Sequence, residues 1–241
     1  MSKFAYAVFT YPIFTEMNPK LIEKLKEFAV PERVTLFEEI LQQRTNYFTV
    51  AIEDIYQEHN ASAVLRSCDC FGIQTVHTIE KQNEFKPNSE VAMGASKWLS
   101  INHHKGDNAL KDTYKELKKQ GYRIVATTPH TNDVTLNEFD ISKGPAAFIF
   151  GTEMRGLTQD AIDLADEHLR IPMYGFTESF NISVSVAIIL HHIREKLNES
   201  DINWHLSENE HQTILFQWLK ASIKKSDLII NRLEQDLADE K

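Results

Sequence analysis

The chain has 241 residues, 42% of them hydrophobic, with 26 Lys and Arg against 35 Asp and Glu for a formal net charge of -9. One moderate domain, or one domain with helical extensions, fits these figures, and disorder or a fibrous architecture does not. No apolar run approaches the roughly 20 residues that cross a bilayer, and an acidic balance argues against broad, charge-driven binding to nucleic acid.

Taken in chain order, residues 18–43 alternate charges with Leu, Ile and Phe at helical spacing, and Pro31-Glu32 marks a break between two helices. Tyr47 to Ile52 is β-branched and aromatic and reads as a buried strand. His59 to Phe71 reads as a helix, with Ala61, Val64, Leu65, Cys68 and Phe71 along one face and Gly72 as its stop. Strand and helix candidates then alternate: Thr75–Ile79, Leu110–Gln120, Tyr122–Thr127, Ala146–Phe150, Asp160–Ala165, His168–Ile171 and Asn181–Leu197. Such alternation marks an α/β domain built on a mainly parallel sheet. From Trp204 onward the apolar residues suit amphipathic helices. The reading therefore divides the chain into an N-terminal helical extension (1–44), an α/β domain (45–197) and a C-terminal helical extension (198–241).

Cys68 and Cys70, the only cysteines, are one residue apart, which suits neither a disulfide nor a structural zinc site. Tyr11-Pro12 interrupts the apolar start, so a signal peptide is not expected, and the reading is cytoplasmic. His103-His104 and His191-His192 are adjacent pairs that point their rings apart, unlike zinc-binding histidines one helical turn apart. No metal and no membrane association are expected.

Three segments ask for more than packing. In HNASAVLRSCDCFG, Asn60 sits at the helix start, where Asn ordinarily caps backbone amides, and Arg66 lies opposite the apolar face. A capping Asn and a solvated Arg would account for both; a functional Arg there would grip phosphate through its fork of donors. In FIFGTEMRGL a buried strand runs into Gly151 and a second glycine follows at Gly156, with Glu153 in the turn. Strand ends of α/β sheets are where ligands bind, and glycine permits close backbone approach. The dinucleotide and P-loop fingerprints are absent. In LRIPMYGFTESFNISVSVAIIL a strand ends at Ile171-Pro172, a loop follows, and Ser179 and Asn181 introduce a helix rich in small residues.

Singly these segments are ambiguous, but their order and spacing are specific. Asn60-x-x-Ala63-x-x-Arg66 with Phe71-Gly72, then Gly151-x-Glu153-x-x-Gly156, then Ile171-Pro172-Met173 with Ser179-Phe180-Asn181-Ile182-Ser183 resemble the SpoU family of the SPOUT superfamily. The resemblance spans roughly residues 45–197 and leans toward the branch that methylates a guanosine ribose in the tRNA D-loop.

That resemblance implies an α/β fold with a C-terminal deep trefoil knot, a rare topology, and an RNA ribose 2'-O-methyltransferase using S-adenosylmethionine. Thr127, Gly151, Ile171, Met173 and Phe180 would hold the cofactor, largely through backbone groups. Arg66, Asn60, Glu153 and Asn181 would form the catalytic set. Phe180 stands where relatives often have Leu. A homodimer is implied, with the helix from Asn181 to Ile189 at its interface. Because guanidinium groups stay protonated in water, holding an RNA phosphate is the safer role for Arg66. Arg33, Arg44, Lys224 and Lys225 are the expected RNA contacts from the extensions. Two other readings stay open: the same chemistry on ribosomal RNA, and a knotted RNA-binding module without turnover. A small-molecule α/β enzyme is disfavoured by the missing fingerprints.

Overall fold

The computed structural model describes residues 17–86, 92, 94–129, 133–152 and 155–239. Seven strands form one sheet: β1 (Phe48–Glu53), β2 (Thr75–Glu80), β3 (Ser100–Lys105), β4 (Arg123–Thr127), β5 (Val134–Thr135), β6 (Ala146–Phe150) and β7 (Glu167–Arg170). Their order is β3-β2-β1-β6-β4-β7-β5, and every neighbouring pair is parallel. The chain lays β1, β2 and β3 outward in sequence, then places β6 between β1 and β4, and β7 between β4 and β5. Because all strands run the same way, the loops after β1, β4, β6 and β7 emerge at one edge of the sheet.

Both faces of the sheet are covered, as a parallel sheet requires. Helices α3 (Glu58–Cys70) and α6 (Ile182–Asn198) cover one face, where Val64, Leu65, Val186, Ile189 and Ile193 pack on Val50, Ile52 and Phe148. Helices α4 (Ala109–Lys119) and α5 (Gln159–Asp163) cover the other, where Tyr114, Leu117 and Ala161 meet Ala51, Ile124 and Ile149. The alternation Val50-Ala51-Ile52 divides β1 between the two cores.

The expected helix break at Pro31 is a helix start: α1 (Pro19–Lys26) ends before it, and α2 (Pro31–Leu41) carries Pro31 in its first turn, where no amide is needed. Helices α7 (Glu208–Ser222) and α8 (Ser226–Asp239) return from the far end of the chain, and all four share a core of their own, including Leu25, Phe37, Leu41, Leu215 and Trp218. Its centre is an aromatic trio: the Phe37 ring lies 5.4 Å from each of Trp98 and Trp218, whose own separation is 5.8 Å. Trp218 Nε1 donates to the Trp98 carbonyl at 3.0 Å, tying the helices to the loop before β3.

Two elements depart from the sequence reading. Strand β3 carries the polar run Ser100–Lys105, and β5 has only two residues; neither has the apolar pattern of a buried strand. Both are edge strands, so they lack a second neighbour to bury them. The paired histidines of β3 do point apart. His104 Nε2 lies 3.0 Å from Nδ1 of the buried His77, while His103 Nδ1 lies 2.6 Å from Glu80 Oε1.

Candidate functional site

At the carboxyl edge of the sheet, the ends of β4, β6 and β7 and the start of α6 enclose a cleft of about 330 Å3. Its apolar walls include Phe150, Leu157, Ile171, Ile182 and Ile189. Thr127, Gly151, Ile171, Met173 and Phe180, the five residues expected at the cofactor, all line it. The hydroxyl of Thr127 is already committed, donating to the Ile149 carbonyl at 2.8 Å. Arg155 and Glu178 also line the cleft and were not singled out beforehand, although each lies inside a segment quoted above; Ser179, read only as introducing a helix, lines it too. An exposed polar residue in a loop carries no periodic signal, so only proximity to the motif glycines could have found them.

The wall formed by the segment after β6 is built from close backbone approach. A Cβ placed on Gly151 would lie 2.1 Å from the Gly156 carbonyl carbon and 2.2 Å from the Leu157 nitrogen. Only glycine fits there. Thr152 and Gly156 exchange backbone hydrogen bonds of 3.0 and 2.9 Å, closing the turn, and Gly156 takes φ 66°. The turn's far end is anchored by Glu53, at the end of β1, which accepts from the Thr158 amide at 2.9 Å and the Thr158 hydroxyl at 2.6 Å. Burial raises the Glu53 carboxyl above its ordinary range, and the two Thr158 bonds only partly oppose that.

The first and third motifs meet beside the cleft. Asn181 caps α6, its Oδ1 accepting from the Ser183 amide at 2.9 Å, as its place before an apolar run predicts. Its Nδ2 donates to Asn60 Oδ1 at 3.2 Å. Asn60 is not the cap of α3. That position belongs to Gln57, and Asn60 lies one turn inside, buried, where its Nδ2 donates to Gln57 Oε1 at 2.8 Å. The helix begins earlier than the sequence reading had it, which frees the amide of Asn60 to join two helices.

Arg66 is exposed, about two turns along α3 from Asn60, and its guanidinium makes no ion pair or hydrogen bond among the described residues. It does not line the cleft. Glu153 lies outside the described residues. Arg33 is exposed on α2, and Lys224 and Lys225 are exposed in the turn between α7 and α8, all away from the cleft walls. Arg44 is a different case. It is buried, pairs with Asp69 of α3, and stacks its guanidinium 5.4 Å from the Trp218 ring centre. The expectation of an exposed phosphate contact at Arg44 is therefore corrected: its charge is consumed in joining the terminal helices to the α/β core.

The model of the SpoU rRNA Methylase family matches residues 47–191. The chain belongs to the SpoU family. Among family relatives, a Borreliella burgdorferi protein named tRNA (guanosine(18)-2'-O)-methyltransferase is 39% identical over 212 residues, covering 88% of this chain and 95% of that one. The A. aeolicus TrmH/SpoU tRNA modifying enzyme superposes with a TM-score of 0.71 at 29% identity, over 81% of this chain and 98% of the other. The SpoU methyltransferase AviRb from Streptomyces viridochromogenes, solved with AdoMet, shares the fold, with a TM-score of 0.56 at 20% identity over 65% and 63% of the two chains. The SpoU match thus runs from β1 into α6 and takes in all three motif segments.

Proposed function

We propose that this chain transfers a methyl group from S-adenosylmethionine to a ribose 2'-hydroxyl of tRNA, on a guanosine of the D-loop. The observation that carries the reading is that the second and third SpoU segments line one cleft, with the first segment tied to the third beside it by the Asn60–Asn181 bond, in a chain similar along most of its length to tRNA guanosine methyltransferases. The cleft suits the cofactor. Its volume of about 330 Å3 falls within the range of small-ligand pockets, roughly 300–1,000 Å3. Its apolar walls suit an adenosine, and Arg155 and Glu178 offer partners of opposite charge for an amino-acid end. Thr127, Gly151, Ile171, Met173 and Phe180 would hold it, chiefly by main chain.

When bound, S-adenosylmethionine supplies an activated methyl group, whose C–S bond breaks as the ribose oxygen bonds to its carbon. The 2'-hydroxyl must give up its proton as it attacks, and solvent water takes that proton. Arg66 holds the neighbouring RNA phosphate and so sets the hydroxyl's approach. Asn60 and Asn181 fix the start of α3 relative to α6, and Glu153 completes the catalytic set.

The division at residues 44 and 197, with the helical extensions carrying Arg33, Lys224 and Lys225 to the RNA, is part of this reading. So is a trefoil knot in the C-terminal half of the domain, which the placement of β6 and β7 between earlier strands supports. A homodimer about α6 is supported by Tyr174, Phe176, Phe180 and Val184, apolar side chains left exposed around the start of that helix. A cytoplasmic location follows from the substrate; no described helix is long and apolar enough to cross a membrane. Incubating the protein with labelled S-adenosylmethionine and either tRNA transcripts or ribosomal RNA fragments, then mapping 2'-O-methyl sites, tests the reading. Label confined to ribosomal RNA moves the target, and no label on any RNA overturns the activity.

A further inference from the structure

A second groove, of about 520 Å3, lies on the other side of the turn that follows β6. The two clefts share a wall: Thr152, Arg155, Gly156 and Leu157 line both. The groove's opposite side comes from the ends of β1 and β2, with Asp54, Tyr56, Gln57, Gln82 and Asn83. Its chemistry differs from that of the cofactor cleft. Tyr56 stands 76% exposed, with neither face of its ring covered by another aromatic ring or by a cation among the described residues. The side-chain amide of Gln82 has no partner among the described residues, and the Arg155 guanidinium has none either.

Asp54 is the built part of this groove. Its Oδ1 accepts from the backbone amides of Lys81, Gln82 and Asn83 at 2.7, 2.8 and 3.2 Å, and Asn83 Nδ2 donates to its carbonyl at 2.9 Å. The residue holds φ at 49°, a left-handed conformation that Asp and Asn tolerate better than other non-glycine residues. Three hydrogen bonds thus hold the carboxylate and a fourth holds its backbone, while Oδ2 stays an open acceptor among the described residues.

We propose that this groove receives the base of the nucleotide whose ribose is methylated, a guanine, unstacked from its neighbours. This rests on the methyltransferase reading above. Proteins that act on single-stranded RNA stack an extruded base on an aromatic ring and read its edge with fixed polar groups. Tyr56 supplies the ring. Asp54 Oδ2 accepts from the N1–H and N2–H donors of the Watson–Crick edge, a pair that adenine does not present. Gln82 serves the remaining base atoms, and Arg155, on the shared wall, stands between base and cofactor. A base on one side of that wall leaves its ribose at the boundary of the two clefts, where the methyl group is delivered.

The test uses the full chain, S-adenosylmethionine and a tRNA transcript, with variants Tyr56→Ala, Tyr56→Phe, Gln82→Ala and Asp54→Asn. Asp54→Asn keeps the left-handed backbone and the Oδ1 acceptor, and converts Oδ2 into a donor. Both Tyr56→Ala and Asp54→Asn are expected to lower kcat/KM for the transcript by about 5- to 150-fold, the range for one lost base stack or one lost edge contact. Tyr56→Phe keeps the ring and remains within about two-fold of the wild type. Cofactor affinity by calorimetry stays unchanged in all four, which separates a lost base site from a damaged fold. A transcript carrying inosine at the target, which lacks N2–H, is methylated more slowly than guanosine by the wild type, and Asp54→Asn narrows that difference. Unchanged kcat/KM in Tyr56→Ala and Asp54→Asn, with an active wild type, overturns the base site and leaves the methyltransferase reading standing. A wild type that methylates no RNA removes both.

Discussion

Substituting Gly151 by Ala puts the proposed cofactor cleft to its most direct test. The added Cβ would lie 2.1 Å from the Gly156 carbonyl carbon, against a comfortable carbon–carbon separation of about 3.5–4.0 Å. The chain must therefore open by about 1.4 Å or more, and the atoms in the way are backbone, which no rotamer change can move. The Gly156 side of the turn is held by its two backbone bonds to Thr152 and, two residues on, by the Thr158–Glu53 pair. Overpacking of this kind costs about 1–3 kcal/mol. For a chain of this size that lowers Tm by about 4–8 °C at the middle of the range. Because the same turn forms one wall of the cleft, S-adenosylmethionine affinity should fall at least about ten-fold, equivalent to about 1.4 kcal/mol. Thermal melts with and without the cofactor, and calorimetric titration, measure both effects. A variant with wild-type Tm and wild-type cofactor affinity would refute the rigid wall and the placement of the cofactor against it.

Removing the exposed guanidinium in Arg66→Ala should abolish methyl transfer while cofactor affinity and Tm stay at wild-type values; normal turnover would remove Arg66 from the catalytic set. Arg44→Met should instead destabilise the fold by about 1.5–3 kcal/mol, the range for losing a hydrogen bond to a charged group whose partner stays partly exposed, as read by urea denaturation. If the variant melts like the wild type but loses RNA affinity, Arg44 faces RNA after all. The His77 ring is buried beside His104, and burial, aided by that neighbour's charge, pushes its pKa from 6.5 down to about 3. The folded protein then binds fewer protons than the unfolded chain between those values, so stability is present above pH 6.5 and lost as pH falls below it. The loss reaches about 1.4 kcal/mol per pH unit, and His77→Gln should flatten the pH dependence of urea unfolding between pH 6.5 and 5. An unchanged slope would mean that His77 charges within the fold. Finally, RNA affinity should weaken steeply between low and moderate salt despite the net charge of -9, because a local basic surface releases counterions; filter binding across a salt series would expose a flat response.

Much of this molecule is local, and the sequence determines what is local. Apolar periodicity marks β1, α3, β2, β4, β6 and α6 nearly to their ends, since each buries a face that its own residues must supply. The spacing of Asn60, Gly151, Glu153 and Asn181 carries the family, since those residues have chemistry or backbone freedom that packing does not require. Other features depend on partners distant in the chain. The run Ser100–Lys105 becomes a strand only because β2 offers an open edge, so nothing in its composition announces it. Arg44 looks like a surface cation until Asp69 and Trp218, 25 and 174 positions away, enclose it. The terminal extensions read as two separate pieces, yet α1, α2, α7 and α8 bury their apolar faces against one another. The cleft itself is of the same kind. Its walls come from segments separated by more than fifty residues, and parallel pairing at a shared edge brings them together only once β6 and β7 have entered the sheet between strands formed from earlier sequence.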